Sequence, residues 1–293
     1  MWPPRNMPYF TPSSANSCPR ELYEKLRKSK KDTQETPPHK GRWQSIGTAI
    51  GDAIQRELLF AEKHLPGNRF SFERNERGEP MFENFAKINQ TITHNGQTFA
   101  LFGLCDGIMR YVSESGEIVR VGLEIKSKQT SYSATSEFSQ RNGPKDDHVK
   151  QTVCYSIMYG PLDYYIILYV NASKKAWEMS AEDYAKSPDI AVHCVRITDG
   201  DRTVILDRFA GIAKAAAEGA SPPLDITRWT FNNFKAACAV GLSADELAQI
   251  ERQVDAVQRS SLKDFVKRQY VAALADIKRL RGEAESYGTE TKE

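Results

Sequence analysis

Two acidic residues and a lysine are spaced so that they could meet around a divalent cation. Asp106 follows the run FGLC, and Glu124 and Lys126 lie in the run VGLEIKSK. Apolar and β-branched residues on both sides of Ser115 and Gly116 predict two antiparallel strands joined by a hairpin, with Asp106 on the first strand. Since side chains alternate along a strand, Glu124 and Lys126 share a face. Mg²⁺ takes oxygen ligands and keeps several waters, so the pattern indicates a magnesium site.

A polar helix face is expected soon after this strand pair. His148, Gln151 and Tyr155 are separated by three and four residues. These spacings place all three side chains on the same side of a helix. An ordinary amphipathic helix with a polar edge is the alternative interpretation.

The ordered set of Asp106, Glu124-x-Lys126 and Gln151-x-x-x-Tyr155 resembles the PD-(D/E)XK nuclease superfamily. More narrowly, it is similar to the RecB-like and phage lambda-type exonuclease branch. The resemblance covers about residues 13–200. It implies an α/β fold with a restriction-endonuclease-like αβββαβ core, in which helices flank a mixed central sheet.

The same resemblance implies the roles of the site residues. Asp106, Glu124 and the main-chain carbonyl of Ile125 would hold one or two Mg²⁺ or Mn²⁺ ions. Lys126 would position the attacking water or offset charge on the phosphorus. Gln151 and Tyr155 would complete the catalytic site.

The first part of the chain carries a second similarity to RecB-like nucleases. Their opening motif is matched by a set of five residues, Ser13, Cys18, Pro19, Arg20 and, one place early, Tyr23. In some relatives this cysteine joins an iron–sulfur cluster with three more near the C-terminus. Only Cys238 lies late in this chain, so no iron–sulfur cluster is expected. Arg20, Gln55 and His148 are candidates for DNA contact.

A long helix is expected over residues 42–63, from the apolar positions along one side. The RecB-like branch usually has a metal-binding histidine where this sequence has Gly51, so the third metal ligand is not identified. Three polar residues lie nearby. A surface or DNA-facing role is favoured for each, with Gln55 and Glu57 ranked above Asp52.

The predicted strands continue on both sides of the site. Residues 87–93 and 97–101 flank Asn95-Gly96, a favoured hairpin turn, and lead into the Asp106 strand, which predicts a three-stranded meander. Residues 68–85 are expected to form a loop. Residues 162–170 are almost continuously apolar, as in a strand buried on both faces, and residues 190–197 predict another strand.

Length and composition bound the domain organisation. The 293 residues, 40% of them hydrophobic, suit a nuclease domain over residues 1–220, with its core at about 42–200. Residues 221–293 predict a C-terminal helical extension, with a disordered tail from residue 283. The net charge is only +2, so any DNA-binding surface must be local.

Cysteine usage and hydropathy bear on the compartment. The five cysteines form no CxxC pair, which indicates reduced thiols in a cytosol. No apolar run is long enough for a membrane span, and no membrane partner is expected. The expected location is the cytoplasm of a bacterium or of a phage-infected host.

Together these features predict a magnesium-dependent deoxyribonuclease. Resemblance to the lambda-type branch implies an exonuclease that acts on double-stranded DNA ends in phage-type recombination. It also implies a single-strand annealing protein as partner, and a homo-oligomer. Three alternatives stay open: an endonuclease of the same fold for restriction, repair or branched DNA, a catalytically inactive DNA-binding module, and a structural Glu124–Lys126 ion pair.

Overall fold

Mixed sheets and flanking helices form this α/β protein. The computed structural model describes residues 2–4, 6–33, 37–160 and 162–290. The strands are β1 (Tyr9–Phe10), β2 (Phe70–Phe72), β3 (Ile88–His94), β4 (Gln97–Gly103), β5 (Gly107–Val112), β6 (Ile118–Lys128), β7 (Tyr164–Asn171) and β8 (Ile190–Arg196). The α-helices are α1 (Pro19–Leu26), α2 (Pro38–His64), α3 (Glu137–Gln140), α4 (Asp146–Met158), α5 (Ala181–Lys186), α6 (Asp199–Glu218), α7 (Lys235–Val240), α8 (Ala244–Arg259) and α9 (Asp264–Glu290).

Two compact units divide the chain. The first contains Met1–Ala15, Glu35–Ile92 and Ala100–Asp207, and the second contains Asn16–Gln34, Thr93–Phe99 and Arg208–Glu293. In this division an N-terminal segment belongs with the C-terminal helices, and the nuclease domain expected over residues 1–220 stays a prediction. All predicted site residues except Arg20 lie in the first unit.

A five-stranded sheet in the first unit has the strand order β2-β5-β6-β7-β8. β5 pairs with β6 in antiparallel register, with Val112 opposite Ile118, and Gly116 in the connection has a φ of 83°. The hairpin predicted at Ser115 and Gly116 is therefore present. β6 and β7 are parallel, which requires a crossover, and α4 lies in that crossover.

The predicted three-stranded meander is wrong. β3 and β4 pair in a separate sheet of order β1-β4-β3, and residues 104–106 lie outside any strand. The main-chain carbonyl of Cys105 accepts the Glu83 N–H at 3.0 Å, and that of Asp106 accepts the Gln55 side-chain amide at 2.8 Å. Because these partners replace a strand neighbour, the ladder stops before Asp106.

One strand lies where the sequence predicts only a loop. β2 pairs with β5 in antiparallel register, and Phe72 opposes Met109. Phe72 is buried in an apolar cluster with Phe82, Leu123 and Ile125. The strand forms because alternation over only three residues is enough to place Phe72 in this cluster.

The two faces of the sheet are covered to different extents. On one face, Ile54 and Leu58 of α2 pack against the apolar cluster that contains Ile125. α2 covers this face only in part, and an apolar groove of about 920 Å³ runs past Ile166 and Val192. The expectation that residues 162–170 are buried on both faces is therefore wrong for one face. On the other face Tyr165, Ile167 and Tyr169 are fully buried.

The second unit has its own helical core. Ser243 and Glu246 form the predicted capping box of α8. The Arg20 guanidinium is 1% exposed, and it donates at 2.7 Å both to Glu246 Oε1 and to the main-chain carbonyl of Gly241. This burial explains why α1 joins the second unit. It assigns Arg20 to packing rather than to a DNA-facing surface.

Two further sequence expectations concern Cys18 and the C-terminal tail. Cys18 is buried, and its sulfur accepts the main-chain N–H of Asp225 at 3.2 Å. α9 continues to Glu290, so the segment expected to be a disordered tail is helical as far as that residue. Residues 291–293 of that segment lie outside the described residues. Across the described residues, none of the helices has the length and hydropathy of a membrane span.

Candidate active site

A chain of hydrogen bonds links the predicted residues of β6 and α4. The Lys126 ammonium lies 2.5 Å from Glu124 Oε1 and donates to Gln151 Oε1 at 2.9 Å. The Gln151 amide in turn donates to the Tyr155 hydroxyl at 3.1 Å. The alternation along β6 and the four-residue spacing on α4 bring these four side chains together as predicted.

Asp106 joins the site from the turn before β5 rather than from a strand. Its Oδ2 accepts the main-chain N–H of Ile125 at 2.6 Å. Gly107 opposes Leu123 in the β5–β6 register, so Asp106 stands beside Glu124 at the end of the ladder. The two acids therefore occupy adjacent positions, although the predicted strand assignment of Asp106 is off by one residue.

Burial opposes ionisation of both acids. Glu124 is 1% exposed, and its burial together with the nearby Asp106 charge raises the pKa of Glu124 to about 8, against the pull of Lys126. Burial also raises the pKa of Asp106, while the Ile125 N–H and Lys126 favour its charged form. A cation between these carboxyls would favour the charged form of both.

A glycine on β6 allows the aromatic support of the site. A Cβ at Gly122 would lie 2.0 Å from the ring of Tyr165, which is too close for any other residue. Tyr165 stacks on Tyr155 with ring centroids 6.4 Å apart. The Tyr155 hydroxyl accepts the Gln151 amide N–H, so this close packing also helps to hold Gln151, the hydrogen-bond partner of Lys126.

Two further acids, Asp52 and Glu83, lie near Asp106. The sequence reasoning ranked Asp52 low and missed Glu83. Glu83 and Asp52 share a side-chain hydrogen bond, and burial, this bond and the charges of Asp52 and Asp106 raise the pKa of Glu83 to about 7. Glu83 has a φ of 47°, a left-handed conformation that is uncommon outside glycine. The ranking of Glu57 above Asp52 is therefore corrected, because Glu57 is exposed whereas Asp52 contacts this group.

Gln55 is a buried residue rather than a DNA-facing one. It is 2% exposed and donates to the Asp106 carbonyl at 2.8 Å. A Cβ at Gly51 would meet no atom within 4 Å, so a larger residue would fit there. His148 is half-buried on α4, with its Nδ1 2.8 Å from the Tyr169 hydroxyl.

The donor set fits a divalent cation. Glu124 Oε2 and Gln55 Oε1 are buried without a hydrogen-bond partner. Such unpaired atoms cost about 1–3 kcal/mol each, and both are oxygens, the ligand type that Mg²⁺ takes. No three His, Cys, Asp or Glu side chains within the described ranges are placed to hold a metal by themselves. An ion at Asp106 and Glu124 would therefore also use water, amide or main-chain oxygens, as Mg²⁺ commonly does.

Comparison with known proteins gives only distant structural likenesses. No family model matches the sequence, and no curated protein matches it. The chain is similar to the protein named SSO0001, with a TM-score of 0.43 and 16% identity over 83% of this chain and 90% of that one.

Two exonucleases are also among the structural neighbours. An alkaline exonuclease from Laribacter hongkongensis has a TM-score of 0.43 and 12% identity over 73% of this chain and 91% of that one. A phage-related exonuclease from Haemophilus somnus 129PT has a TM-score of 0.37 and 16% identity over 71% and 82%. At these values the function has to be argued from the site residues themselves.

Proposed function

We propose that this protein is a metal-dependent nuclease that hydrolyses phosphodiester bonds in DNA, with a PD-(D/E)XK-type core. The observation that carries the proposal is the arrangement at the end of the β5–β6 ladder. There the Lys126 ammonium contacts Glu124 at 2.5 Å, and the N–H of the intervening Ile125 binds Asp106 at 2.6 Å. The carboxyls of Asp106 and Glu124 and the Lys126 ammonium thus meet at positions 124–126 of β6.

The order of elements around the sheet also supports this core. Along the chain, α2 is followed by the three consecutive antiparallel strands β2, β5 and β6, then by α4 and the parallel strand β7. β3 and β4 form an insertion between β2 and β5. With β2 counted as the first strand, this order matches the αβββαβ plan and supports the proposed core.

Asp106, Glu124 and the main-chain carbonyl of Ile125 are the proposed ligands of one or two Mg²⁺ or Mn²⁺ ions. A metal ion in such a site supplies Lewis-acid activation of a phosphate oxygen and of water. The unpaired Glu124 Oε2 and Gln55 Oε1 are consistent with this use of oxygen donors.

Lys126 is the proposed catalytic cation. Its ammonium has three donors, of which Glu124 and Gln151 take two. The third is available to hold the attacking water or a phosphoryl oxygen. Burial raises the pKa of Tyr155, so its hydroxyl stays neutral and keeps the Gln151 amide oriented with its oxygen toward Lys126.

Resemblance to the lambda-type branch extends the proposal to an exonuclease that acts on double-stranded DNA ends. The setting would be phage-type recombination in a bacterial or phage-infected cytoplasm. A single-strand annealing protein and further copies of this chain would be its partners.

Cleavage of two DNA substrates tests the proposal. End-labelled linear duplex and covalently closed circular duplex are incubated with the protein in Mg²⁺ or in EDTA. Loss of the linear DNA alone, in Mg²⁺ only, is the expected result. Nicking of the circles would replace the exonuclease by an endonuclease of the same fold. If neither DNA changes although the protein binds it, the inactive binding module is the correct interpretation.

A further inference from the structure

Three basic residues gather around one buried tyrosine beside the candidate active site. Tyr169 is 1% exposed and lies opposite Lys126 in the β6–β7 register. The Lys128 ammonium lies 3.8 Å from the centre of its ring. Its hydroxyl oxygen accepts the main-chain N–H of Lys145 at 2.9 Å and lies 2.8 Å from His148 Nδ1. Tyr169 thus contacts all three residues, Lys145 through its main chain.

The lysines of this group have no carboxylate partner. Within the described part of the chain, neither Lys128 nor Lys145 forms an ion pair. Two acids close to these lysines in sequence are engaged in other ion pairs: Glu124 with Lys126 at 2.5 Å, and Asp146 with Lys150 at 2.7 Å. Lys128 is half-buried and Lys145 is exposed. Like charges with no counter-ion repel one another, and a bound anion would offset that repulsion.

The pKa values of Lys128 and His148 reflect the same excess of positive charge. Burial and the charges of Lys145 and Lys126 lower the pKa of Lys128 to about 8. Burial and the charges of Lys126, Lys128 and Lys145 lower the pKa of His148 to about 3. His148 is therefore a neutral imidazole at physiological pH.

The Tyr169 hydroxyl also bears on the tautomer of His148. Its oxygen accepts the Lys145 N–H, and its own O–H is assigned as the donor to His148 Nδ1, 2.8 Å away. The tautomer assigned on this ground carries its proton on Nε2. The imidazole then adds an N–H donor to the two ammonium groups.

We propose that Lys128, Lys145 and His148 form a binding subsite for a DNA backbone phosphate that neighbours the scissile one. The choice of DNA as the ligand rests on the proposed function. Lys126 and Lys128 lie on the same face of β6, with Cα atoms about 6.6 Å apart at the usual rise of a strand. A strand of DNA whose scissile phosphate contacts Lys126 would therefore present its next phosphate to Lys128.

The salt dependence of DNA binding tests the subsite. Fluorescence anisotropy in EDTA, which prevents metal-dependent cleavage, gives the dissociation constant of a labelled linear duplex at several KCl concentrations. Each lysine that contacts a phosphate contributes about 0.9 to the slope of log K against log salt. Lys128→Gln and Lys145→Gln should each lower the slope by about that amount, and the double variant by about twice as much.

A matched control is Lys186→Gln, because Lys186 is exposed and already pairs with Glu182 at 2.6 Å. This variant should leave the slope unchanged. An unchanged slope in folded Lys128→Gln and Lys145→Gln would overturn the subsite. If Lys128→Gln fails to fold by circular dichroism, Lys145→Gln alone decides, since Lys145 contacts Tyr169 through its main chain.

Inorganic phosphate separates a DNA subsite from a site for free phosphate. Stabilisation of the wild type by phosphate, lost in the double variant, with an unchanged DNA slope would assign the group to a free anion and overturn the proposal. Mg²⁺-dependent cleavage with unchanged slopes would refute the subsite and leave the nuclease. Lowered slopes without cleavage would refute the nuclease and leave the phosphate site.

Discussion

Replacing Glu124 by glutamine removes a carboxyl that the fold holds in an unfavourable place for a charge. The side chain is 1% exposed, and its pKa is raised from 4.5 to about 8 in the absence of a metal. Because the folded state binds this proton more tightly than the unfolded state does, ionisation of Glu124 weakens the fold. The stability that the neutral carboxyl provides is fully present below pH 4.5 and is lost as the pH rises to about 8.

The size of the effect follows from the width of that window. One pH unit corresponds to about 1.36 kcal/mol, so the change between the two pKa values amounts to about 5 kcal/mol. Glutamine keeps the shape and has no charge to bury. The free energy of unfolding of Glu124→Gln minus that of the wild type should therefore grow by up to this amount as the pH rises from 4.5 to 8.

Urea unfolding in EDTA at pH values from 5 to 8 measures this difference. Glu57→Gln is the matched control, since Glu57 is exposed on α2, and its difference from the wild type should stay flat. At pH 8, Mg²⁺ at 100 times its dissociation constant should stabilise the wild type by about 2.7 kcal/mol and Glu124→Gln far less. Parallel pH profiles for wild type and Glu124→Gln would refute the reasoning.

Three further predictions concern residues around Glu124. Lys126→Ala should lower the cleavage rate about 10²–10⁴-fold, because one ammonium near the reacting phosphate is lost. Undiminished cleavage of end-labelled duplex would contradict its role. Asp106→Asn keeps an acceptor for the Ile125 N–H but removes the charge. Calorimetric titration should therefore show weakened Mg²⁺ binding, and the gel assay should show no Mg²⁺-dependent cleavage. Unchanged metal binding would exclude Asp106 as a ligand. Gly122→Ala should destabilise the protein by about 1–3 kcal/mol or more, because the new Cβ would enter the Tyr165 ring. Gly51→Ala, with open space around it, should be neutral or stabilising by up to about 1 kcal/mol. Equal unfolding midpoints for the two variants would contradict the packing argument.

The part of the site that sequence predicts well depends on short-range geometry. Alternation along one strand places Glu124 and Lys126 on one face, and a four-residue spacing places Gln151 and Tyr155 on one side of a helix. Both rules act within a single element. The contacts between Lys126 and Gln151 then follow once α4 packs on this face of β6.

The missed features depend on contacts between distant segments. Glu83 reaches the Asp106 region because its N–H binds the Cys105 carbonyl, and nothing in the local sequence of Glu83 indicates this bond. Arg20 is buried against Glu246, which lies 226 residues away in the sequence. The nuclease-like opening motif suggested DNA contact for Arg20 because this distant partner is not visible from the local sequence. The gathering of Lys128 and Lys145 likewise depends on Tyr169, which lies on a different strand.

The assignment of strands to sheets also depends on contacts between distant segments. The Asn95-Gly96 hairpin is predicted from local turn chemistry, and β3 and β4 are present on either side of it. Which sheet that hairpin joins is decided by β1, a two-residue strand whose sequence carries little signal. The sequence therefore predicts the hairpin but not its separation from the Asp106 strand.

The central claim is that Asp106 and Glu124 share a cation, and the most direct measurement is anomalous diffraction from crystals of the protein grown or soaked in Mn²⁺. We predict an anomalous peak about 2.0–2.2 Å from oxygens of both carboxylates and from the Ile125 carbonyl, a distance typical of small divalent cations with oxygen ligands. A Mn²⁺ ion bound elsewhere, or the two carboxyls turned away from each other with no peak between them, would contradict the account.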